Sequence, residues 1–335
     1  MSPSEPIVVL GGSGFIGTRL VARLKELRRE IRIGDLKPSE RFPDLHTTCD
    51  VRDAASMRDI LTGAGALINL AAEHRDDVRP ISRYHETNVE GARQVCIAAR
   101  QAWIKRIVFT SSVAIYGFHS HPVDENGPFH PFNPYGATKL EAEGVYQAWA
   151  AEDPSRSLVI IRPTVVFGEG NRGNVYNLLR QIASGQFRMV GPGTNRKSMA
   201  YVENIADVLT HALTLGAGVR IFNYADGPDM DMNALVALVN RSLGRHEPKG
   251  WRIPLHLAMA GGHLLDGVAR LSGRTFPISA IRIRKFCEST QFKADRVRSS
   301  GFIPRFSLEE GLANTIQAEF INNQPDRPRP LLRSL

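Results

Sequence analysis

The chain has 335 residues, and its 42 Lys and Arg residues against 34 Asp and Glu residues give a formal net charge of +8. This length predicts about two domains, and the share of hydrophobic residues, 42%, argues against a disordered or fibrous chain. Three separated cysteines without CxxC or Cys/His spacing argue against a disulfide framework or a metal site. With no secretory signal pattern at the amino end, we expect a cytoplasmic protein.

The positive charge does not by itself predict a nucleic-acid partner. Only 8 of the 42 basic residues are lysine, and the arginines are spread along the chain. A protein that binds duplexes usually concentrates its cations on one face. The local excess around Arg172, Arg196, Lys197, Arg282 and Arg284 instead favours an anionic small molecule.

Short β-rich runs alternate with segments of helical period in the first half of the chain, which is typical of βαβ units on a parallel sheet. The expected fold is a Rossmann-like, doubly wound α/β sheet with a smaller, discontinuous substrate lobe. The cofactor domain is expected at 1–168 with 194–229 returning to it, the lobe at 169–193 and 230–322, and a flexible tail at 323–335. Predicted strands are 6–10, 30–34, 45–51, 66–70, 106–110, 158–161 and 219–223; the main helices are 15–28, 83–102 and 135–151.

The segment GGSGFIG between the first strand and the first helix spaces Gly11, Gly14 and Gly17 as a dinucleotide-binding turn does. Its glycines permit a tight turn, a close approach to a pyrophosphate, and close packing of helix on strand. Asp35 follows at the end of the second strand, where a carboxylate accepts hydrogen bonds from the adenosine ribose. Its charge favours NAD over NADP, although Arg32 and Lys37 lie near enough in sequence to leave NADP open.

A second group of residues follows the fifth strand. Tyr135 and Lys139 are four apart on a predicted helix, which places their Cβ atoms about 5–6 Å apart on one face. The ammonium would then lower the pKa of the phenol and provide a general base near neutral pH. Ser112, at the end of the strand, is placed to hold the same substrate oxygen. A chance surface pair is the competing interpretation, and it is weakened by the position beside a dinucleotide fold.

These segments, with CDVRD, INLAA, TNVEGARQV, TSSVAIYG, NPYGATK and IRPTVVFG in order, resemble the extended short-chain dehydrogenase/reductase family, in its NAD-dependent sugar epimerase/dehydratase branch. The resemblance runs from about residue 6 to residue 321 and implies the catalytic trio Ser112, Tyr135 and Lys139. It also implies a homodimer built on the helices at 83–102 and 135–151. The expected cofactor residues are Gly11, Gly14, Phe15, Ile16, Gly17, Asp35, Asp50, Val51, Leu70, Ala71, Ala72, Asn88, Tyr135, Lys139 and Pro163.

Departures from the family pattern narrow the expected reaction. Val113 and Ala114 stand where the family's dehydratases and decarboxylases carry an acid, which argues against those reactions. The resemblance then implies NAD-dependent 4-epimerisation of a nucleotide-diphosphate sugar, UDP-linked by preference, through a 4-keto intermediate. A dehydrogenase or 4-ketosugar reductase with the same trio remains open, as does a non-catalytic dinucleotide-binding regulator.

The substrate lobe is less clearly marked. Val165 stands where the family often has an asparagine that contacts the substrate, which weakens the case for a uridine nucleotide. The expected substrate contacts are Ser112, Asn174, Arg196, Lys197 and Arg282.

One apolar stretch, residues 253–271, is too interrupted by His, Asp and Arg to span a bilayer, so no membrane insertion is expected. Its stripe of Leu257, Gly261, Leu264, Leu265 and Val268 indicates core or dimer packing more than binding to a membrane surface.

Overall fold

The computed structural model describes residues 5–75, 78–245, 252–272 and 280–322, without the side chains of 267–272, 281, 282 and 285. Its main feature is a sheet of seven parallel strands, as the alternating pattern predicts. These strands are β1 (Ile7–Leu10), β2 (Ile31–Asp35), β3 (His46–Thr48), β4 (Ala66–Asn69), β5 (Arg106–Thr110), β6 (Ser157–Pro163) and β10 (Gly218–Tyr224). Four short strands lie outside this sheet: β7 (Val165–Phe167), β8 (Arg196–Lys197), β9 (Met199–Tyr201) and β11 (Met230–Asp231).

The strand order in the sheet is β10-β6-β5-β4-β1-β2-β3. Because all six pairings are parallel, the carboxyl ends of the strands meet at one edge. That edge is where open α/β sheets bind their ligands. The reversal of strand order between β1 and β4 opens a crevice there, and the glycine-rich turn after β1 lies beside it. The predicted Rossmann-like fold is therefore confirmed.

Helices cover both faces of the sheet, with a further set in the lobe. In chain order they are α1 (Phe15–Glu26), α2 (Arg58–Leu61), α3 (Ser82–His85), α4 (Gly91–Gln101), α5 (Pro134–Ala151), α6 (Asn174–Ala183), α7 (Val202–Ala212), α8 (Met232–Ser242), α9 (Leu255–Ser272), α10 (Ala280–Cys287), α11 (Asp295–Ser299) and α12 (Leu308–Ile316). Alternate residues of β1 enter the two cores: Ile7 and Val9 face α1 and α7, while Val8 and Leu10 face α2, α4 and α5. Burial on both faces explains why this strand is uniformly apolar.

The helix predicted at 83–102 is interrupted. A π-helical turn at Glu86–Glu90 separates α3 from α4 and contains the buried Asn88 and Val89. Such bulges are frequent at functional sites because they redirect one side chain without ending the helix. Sequence periodicity could not reveal this turn, since the apolar spacing continues across it.

The lobe has its own apolar core, formed by α6, α8, α12 and the strands β7 and β9. Strand β10 lies in the main sheet beside β6, whereas α9 and α10 pack on each other in the lobe. The domain boundaries drawn from the sequence remain a prediction, and the tail at 323–335 lies outside the described residues. In the part of the chain that the structure describes, no helix is long and apolar enough to cross a bilayer.

Candidate active site

The glycine-rich turn makes contacts that leave no room for side chains. A Cβ on Gly11, whose φ is +75°, would lie 2.7 Å from the backbone nitrogen of Ala71, and one on Gly17 would lie 2.5 Å from the Gly11 carbonyl oxygen. Gly14 is the N-cap of α1, and no side chain caps that terminus. The first N–H groups of the helix therefore remain available to an anion at its positive end.

Asp35 reaches back over this turn from the end of β2. Its carboxylate accepts hydrogen bonds from the backbone N–H groups of Ser13 at 3.1 Å and Lys37 at 3.1 Å. The guanidinium of Arg32 donates instead to the carbonyls of Ile60 and Thr62. The charged group beside the glycine turn is thus the Asp35 carboxylate and not the Arg32 guanidinium. A carboxylate at this position can accept hydrogen bonds from a ribose diol.

The carboxyl edge next to this turn fits an extended ligand. Leu70 and Ala71 continue from β4, and the Ala71 N–H is bonded to the Asn69 side chain at 3.0 Å. Buried hydroxyl oxygens without a hydrogen-bond partner lie at the ends of β5 and β6, on Thr110 and Thr164. Unsatisfied buried hydroxyls are uncommon and mark places where a bound group supplies the partner. Together with the glycine turn and Asp35, they make the edge suitable for a dinucleotide.

Asn88 is held by the protein itself. Its side-chain oxygen accepts from the Glu73 N–H, and its amide donates to the Glu73 carbonyl and to the Thr138 hydroxyl at 3.0 Å. It therefore ties the loop after β4 to the helix that carries Tyr135 and Lys139. Its predicted contact with the cofactor stays a prediction.

The remaining predicted cofactor residues lie on the same edge. The Asp50 carboxylate is paired with Arg52 at 2.7 Å, and this guanidinium holds the pKa of Asp50 below its usual value. Val51 is buried, with its side chain 3.3 Å from the Cβ position of Gly91. Pro163 ends β6, while Phe15 and Ile16 begin α1 and Ala72 follows Ala71.

Ser112 and Tyr135 are brought together by the start of α5. Asn133 caps this helix, since its side chain accepts from the Gly136 N–H at 2.8 Å. Gly136 lies so close to the preceding loop that a Cβ would be 2.5 Å from the Ala114 carbonyl oxygen. This approach places the phenol of Tyr135 within hydrogen-bonding reach of the Ser112 side chain. Ser112 also accepts from the Ala114 N–H at 3.1 Å, which fixes its orientation.

Burial has opposite effects on the two titratable groups of this helix. It raises the pKa of the Tyr135 phenol, and the hydrogen bond with Ser112 acts to lower that pKa. Burial lowers the pKa of Lys139 to about 7, against the attraction of Glu143. The ammonium of Lys139 lies 4.3 Å from the centre of the Phe109 ring. The phenol pKa is therefore raised, not lowered as the four-residue spacing predicted, because desolvation exceeds the opposing effect of the Ser112 hydrogen bond.

A buried ion pair lies one helical turn from Lys139. Glu143, one helical turn after Lys139, binds Arg162 of β6 through two hydrogen bonds of 2.9 and 2.6 Å. Arg162 also donates to the Tyr116 hydroxyl at 2.6 Å and to the Glu125 carbonyl at 3.1 Å. The sequence prediction missed this network. The spacing of Lys139 and Glu143 was visible, but the partner Arg162 is supplied by a distant strand.

The predicted substrate residues are dispersed in the lobe. Asn174 is the first residue of α6 and is exposed. Arg196 is exposed on β8, whereas the Lys197 ammonium is bound to the Glu288 carbonyl and the Thr290 hydroxyl. Because successive residues of a strand point to opposite faces, these two cations do not converge. Arg282 lies in α10, and its side chain is outside the described part of the structure. Among the described residues, no group of His, Cys, Asp and Glu is arranged to hold a metal ion.

The family model described as "NAD dependent epimerase/dehydratase family" matches residues 7–225. The chain therefore belongs to this family, which confirms the predicted family and the expectation of an NAD-dependent enzyme. Its N-terminal sheet, glycine turn and Ser112–Tyr135 pair all lie within the matched region.

Three relatives are informative. The chain is 46% identical over 327 residues to N-acetyl-alpha-D-glucosaminyl-diphospho-ditrans,octacis-undecaprenol 4-epimerase of Escherichia coli O157:H7, covering 96% of this chain and 98% of the relative. It is 26% identical over 326 residues to UDP-glucose 4-epimerase of Vibrio cholerae, covering 94% and 95%. A solved structure of MoeE5 with UDP-glucuronic acid and NAD has a TM-score of 0.72 and 25% identity, covering 93% and 98%.

Proposed function

We propose that this protein is an NAD-dependent 4-epimerase that acts on an N-acetylglucosaminyl diphosphate whose other end carries a polyprenol. The observation that carries the proposal is the 46% identity with the undecaprenol-linked 4-epimerase, which extends along 96% of the chain. The catalytic trio, the NAD contacts and the substrate contacts named above belong to the same proposal.

Ser112 and Tyr135 handle the proton in this mechanism. The Tyr135 phenolate takes the proton of the sugar 4-hydroxyl, while the Ser112 hydroxyl donates a hydrogen bond to the same oxygen. NAD, which Gly11, Gly14 and Asp35 would hold at the carboxyl edge of the sheet, would supply the hydride acceptor and donor for carbon 4. After the 4-ketosugar has turned over, Tyr135 gives its proton back to the carbonyl oxygen, so the net reaction is an isomerisation.

Lys139 makes the phenolate accessible in the complete site. Burial raises the pKa of the phenol. The Lys139 ammonium would favour the ionised phenol, and a bound oxidised nicotinamide would supply a second positive charge. The Glu143 carboxylate acts to raise the pKa of Lys139 and so opposes part of the lowering by desolvation. Val113 and Ala114 supply no acid beside Ser112, so the site contains no group there for elimination.

Two features bear on which group the diphosphate carries at the end away from the sugar. Val165 is an exposed apolar residue where the family often has a substrate-binding asparagine, and Arg196 is an exposed cation for the diphosphate. Neither feature recognises a nucleoside. A UDP-linked sugar is the second candidate, favoured by the solved relative with UDP-glucuronic acid.

The test supplies purified protein with N-acetylglucosaminyl-diphospho-polyprenol in detergent or with UDP-N-acetylglucosamine, without added NAD. We expect the 4-epimer from the polyprenol substrate, analysed as free sugar after mild acid hydrolysis. Conversion of the UDP-sugar alone would overturn the polyprenol assignment. Accumulation of NADH without an epimer would overturn the epimerase and favour a dehydrogenase.

The matched variant is Tyr135→Phe, which removes one oxygen. We expect a loss of about 10²–10⁴-fold in turnover, as for removal of a general base. The bound NAD content, measured after acid extraction, and the melting temperature should stay near those of the wild type. Unchanged turnover would exclude Tyr135 as the base.

We further propose a cytoplasmic homodimer that pairs α4 and α5 with the same helices of a second copy. The exposed Ile97 on α4 and the open surface around Gly144 on α5 support this face. The buried free thiols of Cys49 and Cys96 are consistent with a reducing compartment. Light scattering of Ile97→Glu against wild type tests the dimer, and an unchanged mass would contradict this interface.

A further inference from the structure

Helix α9 presents apolar side chains to solvent. Leu257, Gly261 and Leu264 follow one another at helical spacing, and the two leucines are 58% and 71% exposed. Ile253 and Leu255, just before this stripe, are exposed as well. Of the stripe predicted for core or dimer packing, Leu257, Gly261 and Leu264 are therefore exposed in this chain, Leu265 is half-buried, and the Val268 side chain lies outside the described part of the structure.

The opposite side of α9 fixes the orientation of the stripe. Gly262 packs against α10, where a Cβ would lie 2.8 Å from the backbone of Ala280. The Asp266 carboxylate accepts from the Ala280 N–H at 3.1 Å. Because these contacts hold one face of α9 on the lobe, the leucine face is directed away from it.

Basic residues border this apolar face. Arg188 donates to the carbonyls of Gly185 and Phe187, and Arg252 donates to the Pro192 carbonyl and the Asn233 side-chain oxygen. In these hydrogen bonds both guanidiniums contact neutral oxygens and not carboxylates. Segment 171–197 contains five Lys or Arg residues and no Asp or Glu, and Asp266 of α9 is bound to the Ala280 N–H on the opposite face. The surface is therefore complementary to an anionic one.

The apolar face is joined to the predicted diphosphate site by direct contacts. Ile253 exchanges backbone hydrogen bonds with Met189 and Gly191, and the Asn195 amide donates to the Phe286 carbonyl of α10 at 2.8 Å. The Thr290 N–H donates to the Arg196 carbonyl at 2.9 Å. A surface bound through α9 would consequently lie on the same packed unit as Arg196.

We propose that α9 is a peripheral docking surface for an anionic lipid bilayer, made by Ile253, Leu255, Leu257 and Leu264 with Arg188 and Arg252. Apolar side chains in the interface and cations opposite anionic headgroups are the two contributions that bind an amphipathic helix to a membrane. The inference rests on the proposed polyprenol substrate, whose chain stays in the bilayer while its sugar enters the site. Docking presents the site to the sugar without removing the lipid from the membrane.

The experiment is flotation of the full-length protein with vesicles of phosphatidylcholine containing 30% phosphatidylglycerol, and with pure phosphatidylcholine vesicles. Wild type should float with the anionic vesicles and less with the neutral ones. The double variant Leu257→Gln/Leu264→Gln should bind the anionic vesicles about tenfold less or weaker still. The control Ile303→Gln removes an equally apolar side chain that is 85% exposed elsewhere, and it should bind as wild type does.

Absence of wild-type binding, or full binding by the double variant, would overturn the proposal. If light scattering instead shows that the double variant dissociates an oligomer and vesicle binding is unchanged, the face is a protein interface. Activity on polyprenol substrate in detergent separates this inference from the proposed function: the double variant should retain it, because neither leucine is in the catalytic site. Lack of that activity in the wild type would overturn the function and leave the flotation result to decide the docking surface.

Discussion

Gly136 lies directly against the carbonyl of Ala114, so that a Cβ on the glycine would be 2.5 Å from that oxygen. This approach joins the loop that carries Ser112 to the first turn of the helix that carries Tyr135 and Lys139. The short distance between the Ser112 and Tyr135 side chains thus depends on residue 136 having no Cβ.

Gly136→Ala should separate these elements and lower turnover. Overpacking of this kind typically costs about 1–3 kcal/mol, so we also expect a lower free energy of unfolding in urea. Gly144→Ala is the matched control in the same helix, where the new Cβ has no neighbour within 4 Å. It should stabilise the protein by about 0.5–1 kcal/mol through helix propensity, unless the proposed dimer uses this surface. Equal behaviour of the two variants in a monomeric protein would contradict the role of Gly136.

Lys139 should make stability depend on pH. Its pKa is lowered by burial to about 7, against 10.5 in the unfolded chain. Between these values the unfolded state binds more protons, so this residue's contribution to stability rises with pH from about 7 to 10.5. In urea unfolding, the free energy of unfolding of Lys139→Met should consequently exceed that of the wild type most at pH 6 and least at pH 10. The exposed Lys105→Met should give a difference that does not vary in this way.

Glu143→Gln should destabilise the fold strongly, because it leaves the buried guanidinium of Arg162 without its carboxylate. Breaking a buried pair typically costs about 3–5 kcal/mol. Glu309→Gln breaks an exposed pair with Arg241 and should change the free energy of unfolding far less. A similar small effect at both positions would show that the buried pair does not support the site.

Asp35 should determine the choice between NAD and NADP. Its carboxylate borders the glycine turn, while Arg32 is bound to two backbone carbonyls. Because like charges in contact cost several kcal/mol, Asp35→Asn should improve NADP binding on the order of tenfold or more. Isothermal titration with each dinucleotide measures the ratio. An unchanged preference would indicate that another group excludes the 2′-phosphate.

Local patterns predicted much of this architecture. The glycine turn, Asp35 and the helix with Tyr135 and Lys139 depend on residues close in sequence, so their spacing indicated where they lie. The sequence did not predict the π-helical turn at Glu86–Glu90, because the spacing of apolar residues continues across it unchanged.

Two properties depend on contacts between distant segments. The pairing of Glu143 with Arg162 joins a helix to a neighbouring strand and has no signal in either segment alone. Whether the pKa of Tyr135 is raised or lowered depends on how far the fold buries the phenol, and a four-residue spacing does not reveal that burial. The exposure of Leu257 and Leu264 likewise required the position of α10.

Hydride transfer at carbon 4 is tested most directly by running the epimerase reaction in D₂O, with mass spectrometry of the sugar released from N-acetylglucosaminyl-diphospho-polyprenol. Hydride removed from carbon 4 and returned within one site keeps its protium, so we expect a 4-epimer without carbon-bound deuterium. Tyr135 exchanges only the hydroxyl proton, which is lost on work-up in H₂O. A product with deuterium at carbon 4 would contradict hydride transfer and with it the proposed function of the site.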